Sequence, residues 1–385
     1  MKTKAIILLL FFGSLLAQPA VAGDIPDALK STLPPPQISA KTWILVDYNT
    51  GWVLASKDPD ERIETASLSK IMTTYTIFHE LKSGNIKLDD MVHISKKAWQ
   101  TGGSRMFIEV DTKVSVEDLL QGVIVQSGND ASVALAEYVA GSEDAFAARM
   151  NENARKLGMV NSNFTNAPGL PDPDHYSTAR DLTLVTAAVI REFPEFYKWY
   201  SQREFTYNDI TQHNRNLLLN RDSSADGVKT GYTKSAGYCL IGSAMRDGMR
   251  LIAIVTGTSS RTRRAKEVQS LLTYGFSNYK SLKLAEGGVP VTQIKVFKGD
   301  QKELGIGVFE PLYFIAPRDN KAQIKTLVNT PSSIIAPISA GTEMANMEVL
   351  VGDQKLMQYP LRALHPVGEG AWWERALDSV LLWFE

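Results

Sequence analysis

Two residues that could form a nucleophile and its base lie three positions apart near the start of a predicted helix, Ser67 and Lys70. Residues three apart on a helix share a face. A serine hydroxyl becomes an effective nucleophile only when a base removes its proton. A lysine amine can be that base if burial or a second cation lowers its pKa from about 10.4. The spacing alone is weak evidence, because an ordinary helix start explains most Ser-x-x-Lys sequences.

Two further motifs strengthen this interpretation. Ser127 and Asn129, separated by one glycine, lie between two predicted helices. Lys-Thr-Gly at 229–231 opens a strand that we predict to continue through Tyr238. Ser-x-x-Lys, a Ser-x-Asn element and Lys-Thr-Gly, in this chain order, are the signature set of β-lactamases and penicillin-binding proteins. Together the motifs predict a site for acyl transfer through a serine.

On these motifs the chain resembles the D-alanyl-D-alanine carboxypeptidases, low-molecular-mass penicillin-binding proteins of the type 5/6 group. Segments such as ASLSKIMTTYTI, GVIVQSGNDASVALAEYVAG and DGVKTGYTKSAGYCLIGSA carry the resemblance, which covers about residues 40–280. The resemblance implies removal of the terminal D-alanine from peptidoglycan pentapeptides ending in D-Ala-D-Ala, through a Ser67 acyl-enzyme. It also implies inhibition by β-lactams and no cofactor.

The resemblance implies a role for each site residue. Ser67 is then the nucleophile, Lys70 its base and Ser127 the hydroxyl that relays a proton to the leaving amine. The backbone N–H groups of Ser67 and Tyr232 form the oxyanion hole. The remaining residues implied in substrate binding are Asn129, Lys229, Thr230, Gly231, Tyr232, Arg215 and Arg264.

Three of these residues, Lys229, Arg264 and Tyr232, need further comment. Lys229 is expected to help lower the pKa of Lys70. Arg264 is preferred to its neighbours Arg261 and Arg263 as the arginine near the terminal carboxylate. Tyr232 stands where several relatives have histidine, so a pH dependence that the histidine gives them does not transfer.

Three other functions share part of this signature. A class A β-lactamase needs a glutamate that activates the deacylating water, and residues 158–190 contain no glutamate. A transpeptidase differs only in its acceptor, which is an amine instead of water. A non-enzymatic scaffold that binds the cell wall would have lost a catalytic residue, and none is lost here.

The remaining sequence predicts the domain organisation. The chain has 385 residues, 44% hydrophobic and 22% charged, which is enough for two folded domains. After a lead-in at 23–39, helical and strand patterns mix over 40–280 without a regular βαβ repeat. This predicts an α+β domain, of the serine β-lactamase/transpeptidase type by resemblance. Short strands separated by turn signals predict a small all-β domain at 281–365.

Composition excludes several classes of partner. The formal net charge is −1 at pH 7, so we predict no nucleic-acid partner. The five histidines show no metal-binding spacing, so we predict no metal site. Cys239, the only cysteine, lies in an apolar strand-like stretch and is predicted to be a buried core thiol.

The N-terminal segment predicts export. A basic start is followed by an apolar run and by Ala20, Val21 and Ala22, a small-x-small cleavage site. We therefore predict a signal peptide over 1–22. The apolar run is short for a membrane-spanning helix, which needs about 20 residues.

The C-terminal segment, 366–385, predicts an amphipathic helix that attaches the protein to a membrane. Trp372, Trp373 and Phe384 belong to an apolar stripe at helical spacing, opposite an acidic face. Such a stripe is typical of helices that lie in a membrane interface. With export, this predicts a peripheral protein on the periplasmic side of the cytoplasmic membrane. The alternative is a helix that docks on the protein's own core.

Overall fold

The computed structural model describes residues 23–319 and 324–383. The predicted signal peptide over 1–22, and Phe384 of the predicted apolar stripe, lie outside the described residues. The helices are α1 (Lys70–Lys82), α2 (Lys96–Gln100), α3 (Val116–Gln121), α4 (Asn129–Ala140), α5 (Glu143–Lys156), α6 (Ala179–Glu192), α7 (Pro194–Tyr197), α8 (Arg261–Asn278) and α9 (Trp372–Leu381).

The strands fall into two groups along the chain. The first nine are β1 (Thr42–Asp47), β2 (Val53–Lys57), β3 (Met91–His93), β4 (Lys113–Ser115), β5 (Glu204–Tyr207), β6 (Ile210–His213), β7 (Ala225–Thr233), β8 (Gly237–Arg246) and β9 (Met249–Thr258). The others are β10 (Tyr279–Ala285), β11 (Pro290–Phe297), β12 (Glu303–Gly307), β13 (Leu312–Pro317), β14 (Ile324–Asn329), β15 (Ser333–Ile335), β16 (Glu343–Val351) and β17 (Gln354–Ala363). An α+β domain followed by an all-β domain confirms the predicted fold class.

A five-stranded antiparallel sheet with the order β2-β1-β9-β8-β7 forms the centre of the first domain. Its middle strand, β9, carries the apolar run LIAIV, and both of its faces are buried. The large helical core that contains α1, α4 and α6 covers one face of the sheet. Helix α8 and the lead-in cover the other face. Strand β7 lies at one edge of this sheet, and the cleft described below forms beside it.

The strand that carries Lys-Thr-Gly differs from its prediction. Lys229 lies in the middle of β7, and Tyr238 belongs to the next strand, so the predicted single strand was wrong. The chain turns between them and pairs the two strands antiparallel, with Thr233 opposite Gly237. Gly237 has φ +66°, a left-handed conformation that glycine adopts at little cost. The two helices predicted around Ser127 are confirmed as a helical segment that ends at Gln126 and as α4.

The second domain consists of a six-stranded sheet with the order β14-β16-β17-β12-β11-β15 and of the pair β10-β13. One apolar core joins it to the first domain, because Phe276 of α8 and Phe314 of β13 belong to the same buried cluster. The lead-in adds polar contacts between the domains, such as the 3.0 Å hydrogen bond from the backbone N–H of Thr32 to Asp319 Oδ2. The exact domain boundaries stay a prediction.

Helix α9 packs on the second domain through its acidic side. The Asp378 carboxylate is buried and accepts hydrogen bonds from the backbone N–H of Lys298 and from Lys302 Nζ, the latter at 3.4 Å. Trp372, Val380 and other apolar side chains of the helix are exposed. Within the described residues, none of the helices has the length and apolar character needed to cross a membrane.

Candidate active site

A cleft of about 330 Å³ opens beside β7, where the segment that precedes α1 and the start of α4 approach this strand. The predicted site residues that line it are Ser67, Ser127, Asn129, Arg215, Thr230, Gly231, Tyr232 and Arg264. Lys70 and Lys229 are buried next to the cleft, with 0% and 3% of their surfaces exposed. The structure therefore brings together residues that are up to 197 positions apart in the sequence.

Ser67 lies in a 3₁₀ turn, Ala66–Ser69, that leads directly into α1. Ala66 has φ +48°, a conformation that costs a non-glycine residue on the order of 1–3 kcal/mol. Two glycines allow neighbouring segments to approach this turn closely. A Cβ atom on Gly169 would lie 2.0 Å from the Ala66 carbonyl oxygen, and one on Gly231 would lie 3.0 Å from the Thr65 carbonyl oxygen.

Lys70 Nζ lies 2.7 Å from Asn129 Oδ1, 2.7 Å from the Pro168 carbonyl oxygen and 3.0 Å from Ser67 Oγ. The first two oxygens can only accept hydrogen bonds. A neutral amine therefore donates its two N–H bonds to Asn129 and Pro168. Its lone pair is then directed at the Ser67 hydroxyl, which can donate to it. This is the geometry that a base for Ser67 requires.

Burial, with a smaller contribution from the nearby charge of Arg215, lowers the pKa of Lys70 to about 7, and the charge of Asp130 opposes the shift. The pKa of Lys229 is lowered well below its usual range, first by burial and then by the charge of Lys70. Arg215, rather than the expected Lys229, is the cation that contributes to the lowered pKa of Lys70, and burial is the main cause for both amines. Both are displaced toward the neutral form, which is the form of Lys70 that can accept a proton.

Ser127 is held in a left-handed conformation, with φ +67° and ψ +36°, between the helical segment that ends at Gln126 and α4. Its hydroxyl is buried, lies against the cleft and has no hydrogen-bond partner within the described part of the chain. Leaving a buried polar group unpaired costs about 1–3 kcal/mol. A substrate atom in the cleft could satisfy this hydroxyl.

Asp130 is a positioning residue that the sequence reasoning missed. Its buried carboxylate accepts backbone N–H bonds from Met106 at 2.9 and 3.1 Å, from Phe107 at 3.0 Å and from Ile108 at 3.4 Å. The adjacent Asn129 donates from Nδ2 to the Gly102 carbonyl oxygen at 2.7 Å. The two side chains thus fix the 102–108 loop at the cleft. An acidic residue in the first turn of a predicted helix was the only available signal.

His175 is hydrogen-bonded to the 3₁₀ turn Ala66–Ser69, which contains Ser67. The backbone N–H of Thr165 donates to His175 Nδ1 at 3.2 Å, so the ring proton resides on Nε2. Nε2 then donates to Ser69 Oγ at 2.7 Å, and Ser69 Oγ is 2.6 Å from Thr65 Oγ1. Burial lowers the pKa of His175 to about 4, so the ring is neutral at physiological pH. An isolated histidine carries no sequence signal for such a role.

The arginines lie at the end of the cleft nearest α8. Arg264 is buried and donates to the Gly231 carbonyl oxygen at 2.9 Å and to that of Arg215 at 3.4 Å. It thereby joins α8 to β7 and to the segment of Arg215. Arg261, which was not predicted to take part, also lines the cleft. The exposed ring of Tyr232 stacks on Tyr238, with centroids 4.2 Å apart, at the outer wall.

The close approach of Gly169 to the Ala66–Ser69 turn generates a first prediction. In Gly169→Ala, the new methyl group meets the Ala66 carbonyl oxygen and the backbone is held at φ +78°. We expect the reaction of the protein with benzylpenicillin, followed by intact-mass spectrometry, to slow by at least about tenfold, because even a displacement of about 1 Å can cost 10²-fold in rate.

Gly158→Ala is the matched control for this prediction. Gly158 has φ +77° but no atom within 4 Å of the added Cβ position. It should lose only the stability that backbone strain costs, about 1 kcal/mol in thermal unfolding. Equal reaction rates for the two variants would contradict a steric role for Gly169.

Both domains of the chain are similar to known proteins. Residues 29–260 match the family model described as D-alanyl-D-alanine carboxypeptidase, and residues 279–369 match the one described as penicillin-binding protein 5, C-terminal domain. A D-alanyl-D-alanine carboxypeptidase DacA of Haemophilus influenzae is 37% identical over 97% of this chain and 96% of its own length.

Two solved structures are also similar. The crystal structure of penicillin-binding protein 5 from Haemophilus influenzae has a TM-score of 0.81 and 39% identity, covering 88% of this chain and 100% of its own. Penicillin-binding protein D2 from Listeria monocytogenes, in its cefotaxime-bound form, has a TM-score of 0.59 and 30% identity, covering 63% of this chain and 100% of its own. The chain therefore belongs to the D-alanyl-D-alanine carboxypeptidase family of serine-type penicillin-binding proteins.

Proposed function

We propose that this carboxypeptidase acts on peptidoglycan pentapeptides in the described cleft, with Ser67 as nucleophile and Lys70 as its base. The observation that carries the proposal is the buried Lys70 amine, whose two N–H bonds are taken by carbonyl oxygens and whose third contact is Ser67 Oγ at 3.0 Å.

Acylation follows from this arrangement. Ser67 Oγ attacks the carbonyl carbon of the penultimate D-alanine while its proton passes to Lys70 Nζ. The resulting oxyanion lies between the backbone N–H groups of Ser67 and Tyr232. The C–N bond then breaks, and a proton relayed through the Ser127 hydroxyl reaches the leaving nitrogen. D-alanine therefore leaves with a neutral amino group. Lys70 resupplies the proton to Ser127.

Deacylation repeats the same steps with water. A water molecule loses a proton to the Lys70 amine and attacks the ester carbonyl of the acyl-enzyme. The ester C–O bond breaks, the proton on Lys70 Nζ passes to Ser67 Oγ, and the shortened peptide leaves as a carboxylic acid that ionises in the solvent. In a β-lactam the amine remains attached to the acyl group after ring opening, which favours a long-lived adduct.

The proposed substrate orientation rests on charge and on an edge strand. The terminal carboxylate is held by Thr230 and by Arg215 and Arg264, since guanidinium groups match carboxylate geometry. The peptide backbone can add to the free edge of β7, the last strand in the sheet order. The scissile carbonyl carbon then lies next to Ser67 Oγ, and its oxygen is directed at the two backbone N–H groups of the oxyanion hole.

Covalent labelling tests the nucleophile. Intact-mass spectrometry after benzylpenicillin treatment should show one adduct, which peptide mapping places on Ser67. Wild-type protein should also release D-alanine from diacetyl-Lys-D-Ala-D-Ala. Ser67→Ala should show neither reaction, and Ser69→Ala, which removes a nearby hydroxyl, should still form the adduct. An adduct that persists in Ser67→Ala would overturn the assignment.

The base predicts a pH dependence. Because only neutral Lys70 accepts the proton and its pKa is about 7, the second-order acylation rate should fall about tenfold per unit below pH 7 and level off above it. Lys70→Ala and Lys70→Arg should each lose on the order of 10⁴–10⁶ in rate. Arg215→Gln removes a cation that lowers the pKa, so its profile should shift to higher pH. A wild-type rate that still rises steeply above pH 9 would show that Lys70 is not the base in neutral form.

We further propose that α9 attaches the protein to the outer face of the cytoplasmic membrane. The support is that the two sides of the helix have different environments. Asp378 packs on the second domain. The apolar side chains on the other side are at least half exposed: Trp372, Trp373, Leu377 and Val380. Burying each such side chain contributes roughly 1.5–3 kcal/mol before ordering costs. This attachment would place the active site on the periplasmic side, where peptidoglycan lies.

Paired substitutions on α9 test membrane attachment. Val380→Glu introduces a carboxylate on the apolar side and should abolish co-sedimentation with phospholipid vesicles. Ser379→Glu adds the same charge at the neighbouring exposed position and should retain most binding. Wild-type binding should depend little on salt, because apolar burial carries it. Truncation after Gly370 should leave D-alanine release unchanged. If wild-type protein stays in the supernatant, or if the truncated protein unfolds, the helix belongs to the protein's own core.

A further inference from the structure

The α8 end of the cleft carries one arginine more than the proposed carboxylate contacts require. Arg215, Arg261 and Arg264 all line it. Two guanidinium groups already offer more donors than a single carboxylate can accept. The third arginine therefore needs an explanation of its own.

Arg261 differs from its neighbours in what it contacts. Arg264 is buried and donates to two carbonyl oxygens. Arg263 forms an ion pair with Glu267 at 2.7 Å, on the side of α8 that faces the lead-in. Arg261 is exposed at the cleft and forms no hydrogen bond or ion pair with the described part of the chain. Its charge is therefore directed at the solvent in the mouth of the cleft.

The position of Arg261 is locally unfavourable. It is the first residue of α8, an 18-residue helix whose first turn contains no acidic residue. A cation there opposes the partial positive charge of the helix N-terminus. Such departures from local preference concentrate at functional sites. The same feature means that replacing Arg261 with a neutral residue should not weaken the helix.

The three arginines act as one electrostatic unit. After burial, which is the main cause, the charge of Arg261 lowers the pKa of Arg215 and contributes to the lowered pKa of Arg264. Each guanidinium nevertheless remains charged at neutral pH. An anion that enters this end of the cleft therefore meets the summed field of all three groups.

We propose that Arg261 is a specificity-determining residue that draws the free terminal carboxylate of the substrate into the cleft. This inference rests on the substrate orientation of the proposed function. An exposed charge at the rim of a site changes capture and its salt dependence more than the chemical step. Arg261 thus favours peptides and β-lactams that carry the carboxylate over equivalents in which it is neutral.

Acylation by benzylpenicillin and by its neutral methyl ester tests this role. In Arg261→Gln at low ionic strength, the second-order rate with benzylpenicillin should fall roughly three- to tenfold, the range expected for one exposed charge acting over a few ångströms. The rate with the methyl ester should change less than twofold. In 1 M salt, where the screening length is about 3 Å, the difference should disappear. For diacetyl-Lys-D-Ala-D-Ala the loss should appear in kcat/KM, with kcat nearly constant.

Two variants complete the experiment. Arg261→Lys keeps the charge and should restore the benzylpenicillin rate to within about twofold of wild type. Arg263→Gln removes a charge from the same helical turn but away from the cleft, and should behave as wild type with both compounds. Equal losses with acid and ester, or no loss with either, would overturn the role of Arg261 while a normal Ser67 adduct leaves the proposed function intact. A wild-type protein that forms no Ser67 adduct would overturn both.

Discussion

The active site depends on the burial of one amine. An ammonium ion removed from water is costly unless it is paired, and a lysine in that position loses its proton more readily instead. Lys70 is fully buried and has no carboxylate among its direct hydrogen-bond partners. Its environment thus converts a residue that is normally an acid at neutral pH into a base. The cost of that environment in stability is inseparable from the reactivity of Ser67.

This burial requires segments that are distant in sequence to converge on a single nitrogen atom. The two carbonyl oxygens around Lys70 come from residues 59 and 98 positions further along the chain. The strained conformations of Ala66 and Ser127, and the absence of a side chain at Gly169, are consequences of the same convergence. The edge of β7 must approach the turn that contains Ser67 from the opposite side, and Gly231 permits this because it has no side chain. Rigid neighbours therefore hold a geometry that the local sequence disfavours.

The sequence was sufficient to predict the site residues that act through a particular type of side chain. Ser67, Lys70, Ser127 and the Lys-Thr-Gly residues could be found because their chemistry demands those residue types at those spacings. The Pro168 carbonyl could not be found, because every residue carries the same backbone group and only the fold selects one. Asp130 was visible as an acidic residue, but its backbone partners lie 22 to 24 positions away.

The same distinction applies to the fold. Helix starts that use a capping side chain, such as Thr178 before α6, were predictable because the cap is local. The order of strands in the second domain was not, since its pairings join segments far apart in the chain. Helix periodicity in the C-terminal segment predicted an apolar side and an acidic side. It could not reveal that Asp378 would be buried against the second domain.

The arginines at the cleft affect both substrate binding and the pKa of Lys70. Their charge cannot be the main means of keeping Lys70 neutral. Arg215 lines the cleft, where we propose that it helps bind the substrate carboxylate, and its charge lowers the pKa of Lys70. A bound carboxylate offsets part of that cationic charge, so the contribution of Arg215 to the lowered pKa weakens at the moment when the base is needed. Burial does not weaken in this way, because a substrate in the cleft excludes further water. A base that must stay neutral in the complex therefore has to rely mainly on burial, and burial is the larger of the two causes for Lys70.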